Sequence, residues 1–577
     1  MTSRPDVIIL MTDEERAIPP YESPEVLAWR ERILLGRKWF DDHGVAFTRH
    51  YTGSLACAPS RPTIFTGHYP DLHGVTQTDG LGKMPDDSRM RWLRRGEVPT
   101  MGNWFRAAGY DTHYDGKWHI SHVDLHEADG SVLQTNDADG VVDHVAVRRY
   151  LDADPLAPFG FSGWVGPEPH GALPGNAGVR RDPLVADRVV TWLIDRYARR
   201  RAGDPAAQRP FLLVASFVNP HDIVLFPGWL RRSPIGPSPF DPPHVPAALT
   251  ADEDLASKPA AQIAFREAYA TGYGPAPLIE RAYRSNAQRY RDLYYRLHAE
   301  VDGPIDRVRR AVTEGGSDDA VLVRTSDHGD LLGAHGGLHQ KWFNLYDEAT
   351  RVPFVIARIG AAATQPREVA APTSHVDVLP TLLAAAGVDV SAVADELAES
   401  FSEVHPLPGR NLLPVVDGGP ADHDRAVYIM TRDNILEGDS GASAAARRLR
   451  RTSNPPALIR IRVPAHVGSN FEGLVVRVGA HLWKLVRTFD DPATWTEPGV
   501  RHLAANGLGG EAYRMSPLED QWELYNLTED PIEAHNRWSD PDLHELRQQL
   551  RTQLKEARAT AVPERNRPWP YVSRGRR

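Results

Sequence analysis

The chain has 577 residues, 41% hydrophobic and 25% charged, and its 66 Lys and Arg against 76 Asp and Glu leave a formal charge of −10. This is ordinary globular composition, with more chain than one domain of roughly 100–200 residues, and it excludes disorder and collagen-like repeats. The acidic balance argues against nucleic acid as a partner, and the single cysteine, Cys57, excludes a disulfide framework, a cysteine zinc cluster and a Cys-x-x-Cys redox pair.

The elements follow in chain order. Val7–Met11 is a short apolar run of the fully buried kind, too short for a signal-peptide core and followed by acids. No run reaches the ~18–20 apolar residues that span a bilayer, so no membrane contact and a cytoplasmic location are expected. Ser23-Pro24-Glu25 reads as a cap, a proline at the first helical position and an acid in the first turn, opening a helix to about Asp42. Thr100 begins a second helix that Gly109 closes. His122–Asp182, rich in Gly, Asp and Pro, reads as a long loop; its Asp137-Ala138-Asp139-Gly140 lacks the spacing of a calcium-binding loop. Asp182-Pro183 opens a helix with Val185, Val189, Trp192, Leu193 and Tyr197 on one face. Phe211–Phe217 is a strand, and the proline-dense Phe226–Pro259 a second long loop. Tyr290, Leu293, Leu297, Val301, Ile305 and Val308 mark another amphipathic helix, and Ala320–Val323 and Val352–Ala357 two more strands. Strands alternating with helices predict an α/β fold: a mostly parallel sheet with helices on both faces.

From about Ala421 the texture changes. Ala426–Met430, Ala457–Val463, Gly473–Val478 and Leu482–Arg487 read as shorter, antiparallel strands, and a charged helix follows Pro541. The expected division is 1–420 for the α/β domain, 421–540 for a smaller α+β domain and 541–577 for a helical arm. Long loops and arm make a homo-oligomer an expectation.

Four clusters carry chemistry. Cys57-Ala58-Pro59-Ser60-Arg61 has prolines suited to a helix start, which puts Cys57 at a helix N-terminus, where unpaired N–H groups favour an anion. A lone cysteine is otherwise often a small buried hydrophobe. Asp13 and Glu14 follow the first strand, and Asp327 and His328 follow Ala320–Val323. Acids at strand carboxyl ends lie where ligands bind in open α/β sheets, although solvated acids occur there too. Gly116-Lys117-Trp118-His119, Asn219-Pro220-His221 and His339-Gln340-Lys341-Trp342 add cations and imidazoles. The chain has only seven lysines against 59 arginines, so two lysines in such clusters carry information.

Together these strings resemble the type I, formylglycine-dependent sulfatases, in the arylsulfatase and phosphonate monoester hydrolase branch of the alkaline phosphatase superfamily. Cys-x-Pro-Ser-Arg with Thr66-Gly67 beyond it is similar to the sulfatase signature, and the resemblance runs from about residue 6 to 536. It implies an alkaline-phosphatase-like sheet. It implies that Cys57 is oxidised to Cα-formylglycine by a formylglycine-generating enzyme, and that its hydrate attacks the sulfur of a small anionic ester. Asp13, Glu14, Asp327, His328 and the modified Cys57 would hold one divalent cation. Calcium is the ion the resemblance implies; the imidazole of His328 moves the balance toward manganese or zinc. Glu14 departs from the aspartate more common at its place. Arg61, Lys117 and Lys341 would face the sulfuryl group, His119 would orient the hydrate, and His221 would serve the leaving oxygen as general acid. Aryl sulfates are the expected substrates. Phosphonate monoesters or phosphate diesters are the alternative, and a silent metal-binding protein is the outcome if Cys57 stays unmodified.

Overall fold

The structure, a computed structural model, describes residues 4–79, 85–87, 90–169, 174–230, 233–272, 276–360, 362–432, 467–505 and 512–568. The expected strand Ala457–Val463 lies outside the described residues.

A seven-stranded sheet organises the first two thirds. Its strands are β1 (Asp6–Asp13), β2 (Val45–Phe47), β3 (Asp111–Gly116), β4 (Phe211–Pro220), β5 (Ala320–Ser326), β6 (Phe354–Ile359) and β7 (Arg367–Val369). They lie in the order β3-β4-β1-β5-β6-β2-β7. β1 runs parallel to both β4 and β5, and β3 parallel to β4, whereas β6 is antiparallel to β5 and β2. β1 is central and buried along its whole length. Its alternate residues serve two cores. Val7, Ile9 and Met11 face one with Phe65, Trp104 and Leu379, while Ile8 and Leu10 face the other with Val189, Leu193, Val301 and Ile305. Such two-sided burial is why the run is continuously apolar.

The helices differ from expectation where distant carboxylates cap them. The first helical stretch divides into α1 (Pro24–Ile33) and α2 (Leu35–His43). Asp302 accepts from the Gly36 and Arg37 N–H groups at 2.8 and 3.1 Å and so caps the second piece from across the fold. A long helix begins at Gly178, four residues before Asp182. There Asp222 takes the Gly178 and Val179 N–H groups, and Asp182 turns to those of Val218 and Asn219. The segment expected to be loop before it contains a ten-residue helix, His144–Ala153, capped by Asp143. Asp137 there accepts from the Asp139 and Val141 N–H groups, which makes a turn.

A four-stranded antiparallel sheet follows: β8 (Val427–Arg432), β9 (Asn470–Val478), β10 (His481–Phe489) and β11 (Gln521–Asn526), in that order. The terminal helix His544–Ala561 buries Leu550 and Leu554 against it. Lys484 ties this sheet to the short helix Asp347–Thr350 that precedes β6, with Nζ 2.6 Å from Asp347, and lies 2.8 Å from Glu533 beyond β11.

Gly116 is where the β3 backbone packs directly on β4. Its φ is +99°, and a Cβ there would lie 1.9 Å from the Ser216 carbonyl oxygen. The contact holds the next residue, Lys117, whose N–H donates to the same oxygen at 2.8 Å. Gly116→Ala should therefore destabilise the fold by about 2 kcal/mol or more, from left-handed strain and overlap together. Urea unfolding with an unchanged midpoint would contradict this.

Candidate active site

The carboxyl ends of β1, β3, β4 and β5 converge on the start of one short helix, α3 (Cys57–Thr66). All ten of its residues are buried. Cys57 is its first residue, so Pro59 falls in the first turn, where a missing N–H leaves nothing unpaired. The helix is fixed from below, because Ser60 Oγ donates to the Asp327 carbonyl at 2.5 Å.

Arg61 joins the strand ends. Its Nε donates to Asp327 Oδ2 and its Nη2 to Asp13 Oδ2, both at 2.9 Å. Its Nη1 donates to the Lys117 carbonyl at 2.6 Å and to Ser216 Oγ at 2.9 Å. The guanidinium thus serves the carboxylates and the backbone around it. Lys117 Nζ lies 2.6 Å from Asp13 Oδ2. Burial alone would raise the Asp13 carboxyl, but Lys117, His221, Arg61 and His328 together hold it well below the usual range.

His328 Nδ1 lies 2.9 Å from the Gly329 carbonyl, which can only accept, so Nδ1 carries a proton, and Nε2 faces Cys57 Sγ at 3.1 Å. Cys57 Sγ is 3.8 Å from Asp13 Oδ1. Burial and Asp13 push the thiol up, but Lys341, Lys117 and His328 outweigh them and hold it well below its ordinary value. Donor atoms of Asp13, Cys57, Asp327 and His328 all lie within 4.8 Å of one another. Oxygen donors with one imidazole in a buried cluster fit a divalent cation.

Glu14 is divided between two surroundings. Its Oε2 pairs with Lys341 Nζ at 2.9 Å, while Oε1 is buried and has no hydrogen-bond partner among the described residues, an orphan that a cation would satisfy. Burial raises its carboxyl well above the usual range, with Lys341 opposing and Asp330 adding to the rise. Its φ is +68°, in the left-handed region. His221 Nε2 stands 3.9 Å from Glu14 Oε2, and burial and Lys117 push its ring down to about 4.

His119 lies at the edge of the cluster, also left-handed at φ +53°. Two residues that the sequence left unremarked hold it. Asp79 Oδ1 is 2.5 Å from His119 Nε2, and Glu168 accepts from the His119 N–H at 2.8 Å and the Trp118 N–H at 3.2 Å. Burial would lower the His119 ring, but Asp79 raises it to about 9. Neither acid lies in a motif. The only sequence signal was their isolation among Thr, Gly and Pro in loops flanking the Gly-Lys-Trp-His strand end.

All ten residues singled out from the sequence, Asp13, Glu14, Cys57, Arg61, Lys117, His119, His221, Asp327, His328 and Lys341, are therefore gathered at one end of one sheet and are buried. Comparison with known proteins places this arrangement. The sulfatase family profile matches residues 5–388. The chain is 29% identical over 377 residues to the uncharacterized sulfatase YidJ of Escherichia coli (strain K12), an alignment spanning 64% of each protein, just under two thirds of that relative's length. A solved 2-O GAG sulfatase, BT1596, superposes with a TM-score of 0.61 at 19% identity, over 97% of this chain and 93% of that one. The phosphonate monoester hydrolase of Agrobacterium radiobacter superposes at 0.56 and 20% identity, over 97% and 96%. These likenesses establish an alkaline-phosphatase-like fold, and the profile, which covers about two thirds of the chain, establishes that the protein belongs to the sulfatase family.

Proposed function

We propose that the protein hydrolyses sulfate monoesters, aryl sulfates first among them, with Cys57 oxidised to Cα-formylglycine by a formylglycine-generating enzyme. One divalent cation, calcium, would be held by Asp13, Glu14, Asp327, His328 and the modified residue 57. The observation that carries this reading is the buried convergence of donor atoms from Asp13, Cys57, Asp327 and His328 at the start of α3. The oxidised residue supplies, as its hydrate, one hydroxyl to attack sulfur and a second through which sulfate is later expelled. The cation supplies positive charge that polarises a sulfate oxygen.

The remaining chemistry belongs to this chain's own side chains. Lys117 and Lys341 bring two buried positive charges to either side of Cys57, anchored on Asp13 and Glu14. Fixed charge in a water-poor site stabilises the charge that develops on a transferring sulfuryl group, and it needs no reorganisation when the reaction occurs. Arg61 holds two of the carboxylates in place, with four of its five N–H groups donating to Asp327, Asp13, Ser216 and the Lys117 carbonyl. His221 is the group for the leaving oxygen. With its ring held neutral near pH 7, it offers an N–H whose hydrogen bond strengthens as that oxygen gains charge.

A second reading, hydrolysis of phosphonate monoesters or phosphate diesters at the same site, is favoured by the fold shared with a phosphonate monoester hydrolase. Kinetics of aryl sulfate, alkyl sulfate, phosphonate monoester and phosphate diester on protein co-expressed with a formylglycine-generating enzyme should rank aryl sulfate first. A phosphorus ester ranked first would replace the reading with the second. Cys57→Ala should abolish turnover of all four, and a variant keeping most activity would refute the nucleophile. Chelation should abolish turnover and added calcium restore it; full rates after thorough metal removal would refute the cation site. His221→Ala should slow substrates with poor leaving groups most, and equal losses across leaving groups would remove His221 from that role.

A further inference from the structure

We propose that Asp79 is the positioning residue of His119, fixing which ring nitrogen meets the nucleophile. The two side chains are buried, at 4% and 1% exposure, and His119 Nε2 lies 2.5 Å from Asp79 Oδ1. A carboxylate in that place accepts, so Nε2 carries a hydrogen. The ring is also within hydrogen-bonding reach of residue 57, which leaves Nδ1 as the nitrogen on that side.

The main chain of His119 is held as firmly as the ring. Glu168 takes the N–H groups of residues 118 and 119, and its own N–H donates to Asp124 Oδ1 at 2.8 Å. The Trp92 ring, 5.7 Å from the imidazole and anchored by Nε1 on the Pro85 carbonyl, limits rotation on the outer side. Carboxylates from two separate loops thus aim one imidazole, which keeps its left-handed backbone only because its surroundings determine it. A third group that orients and selects the tautomer of a histidine beside a nucleophile changes rate far more than affinity. Asp79 acts through His119.

The effect on turnover rests on the sulfatase reading above, whereas the Asp79–His119 pairing does not, and the test separates them. The variant is Asp79→Asn, whose amide can donate to Nε2 and so reverse the tautomer without changing size. It is compared with wild type on one aryl sulfate, at equal conversion of Cys57 by intact mass, with Tm measured alongside. The expected result is a kcat lower by about 10²–10⁴-fold, with KM within about threefold and Tm unchanged. A kcat within about threefold of wild type overturns the proposal. So does a loss of kcat matched by a falling Tm or by a proportional rise in KM, because that is a structural role. Histidine ¹⁵N NMR of the unmodified protein, with His119→Gln for assignment, reads the pairing without any turnover. Read above the ring's raised value of about 9, where it is neutral, wild type should carry the His119 hydrogen on Nε2 and Asp79→Asn should move it to Nδ1; the same tautomer in both overturns the proposal. A wild type that hydrolyses no sulfate ester would sink the reading of the reaction and leave the NMR result to judge the pair.

Discussion

Two buried carboxylates on neighbouring strands, Asp13 and Asp327, share one guanidinium, and the geometry of the whole site follows from that arrangement. Both acids and Arg61 are fully buried. Taking an ion out of water costs several kcal/mol even after relaxation, so neither strand end could keep its acid there unpaired. Arg61 can meet both only if its helix starts in the crevice between β1 and β5, and that places Cys57, one turn earlier, over the same acids. The helix is therefore located by electrostatics as much as by the apolar packing of Ile64 and Phe65. Loss of the guanidinium would leave Asp13 with Lys117 alone and take from Asp327 its paired cation, the kind of deletion that costs about 3–5 kcal/mol.

The same economy governs the lysines. Lys117 and Lys341 are buried cations, and each is tolerated because a site carboxylate stands beside it, Asp13 for one and Glu14 for the other. The positive charge proposed to serve the sulfuryl group is thus carried by the framework before any substrate arrives. Strained backbone occurs here as well. Glu14 and His119 both hold left-handed backbone, a state that costs on the order of 1–3 kcal/mol and that the packing around them sustains. Away from the sheet end, Lys484, Asp347 and Glu533 perform a comparable pairing between the second sheet and the short helix before β6.

The parts of this arrangement that are local in sequence could be read from it. β1 and β5 carry the apolar runs Val7–Met11 and Ala320–Val323 with acids a few residues beyond, and the Cys57 string carries its own helix-start chemistry, so strand ends, helix and charged clusters were all legible. The resemblance to sulfatases rested on the same strings. Features settled by partners far along the chain were not legible. The break between α1 and α2 depends on Asp302, some 266 residues from the N–H group it caps. The early start of the Gly178 helix depends on Asp222, and the hold on His119 depends on Asp79 and Glu168, which sit 40 and 49 residues away in loops with no periodicity. The helix at 144–153 was hidden by its Gly- and Asp-rich surroundings, although Asp143 as a cap and the Ala146, Tyr150 spacing were there to find it.

The central claim is that this buried charge framework exists to make residue 57 a covalent nucleophile. Intact mass spectrometry of protein co-expressed with a formylglycine-generating enzyme, set beside its rate on an aryl sulfate, addresses that claim most directly. The account predicts a mass deficit that maps to Cys57, equal to replacing the thiol by an aldehyde, with activity rising in proportion to the converted fraction. Full activity in protein whose Cys57 is wholly unmodified would contradict it.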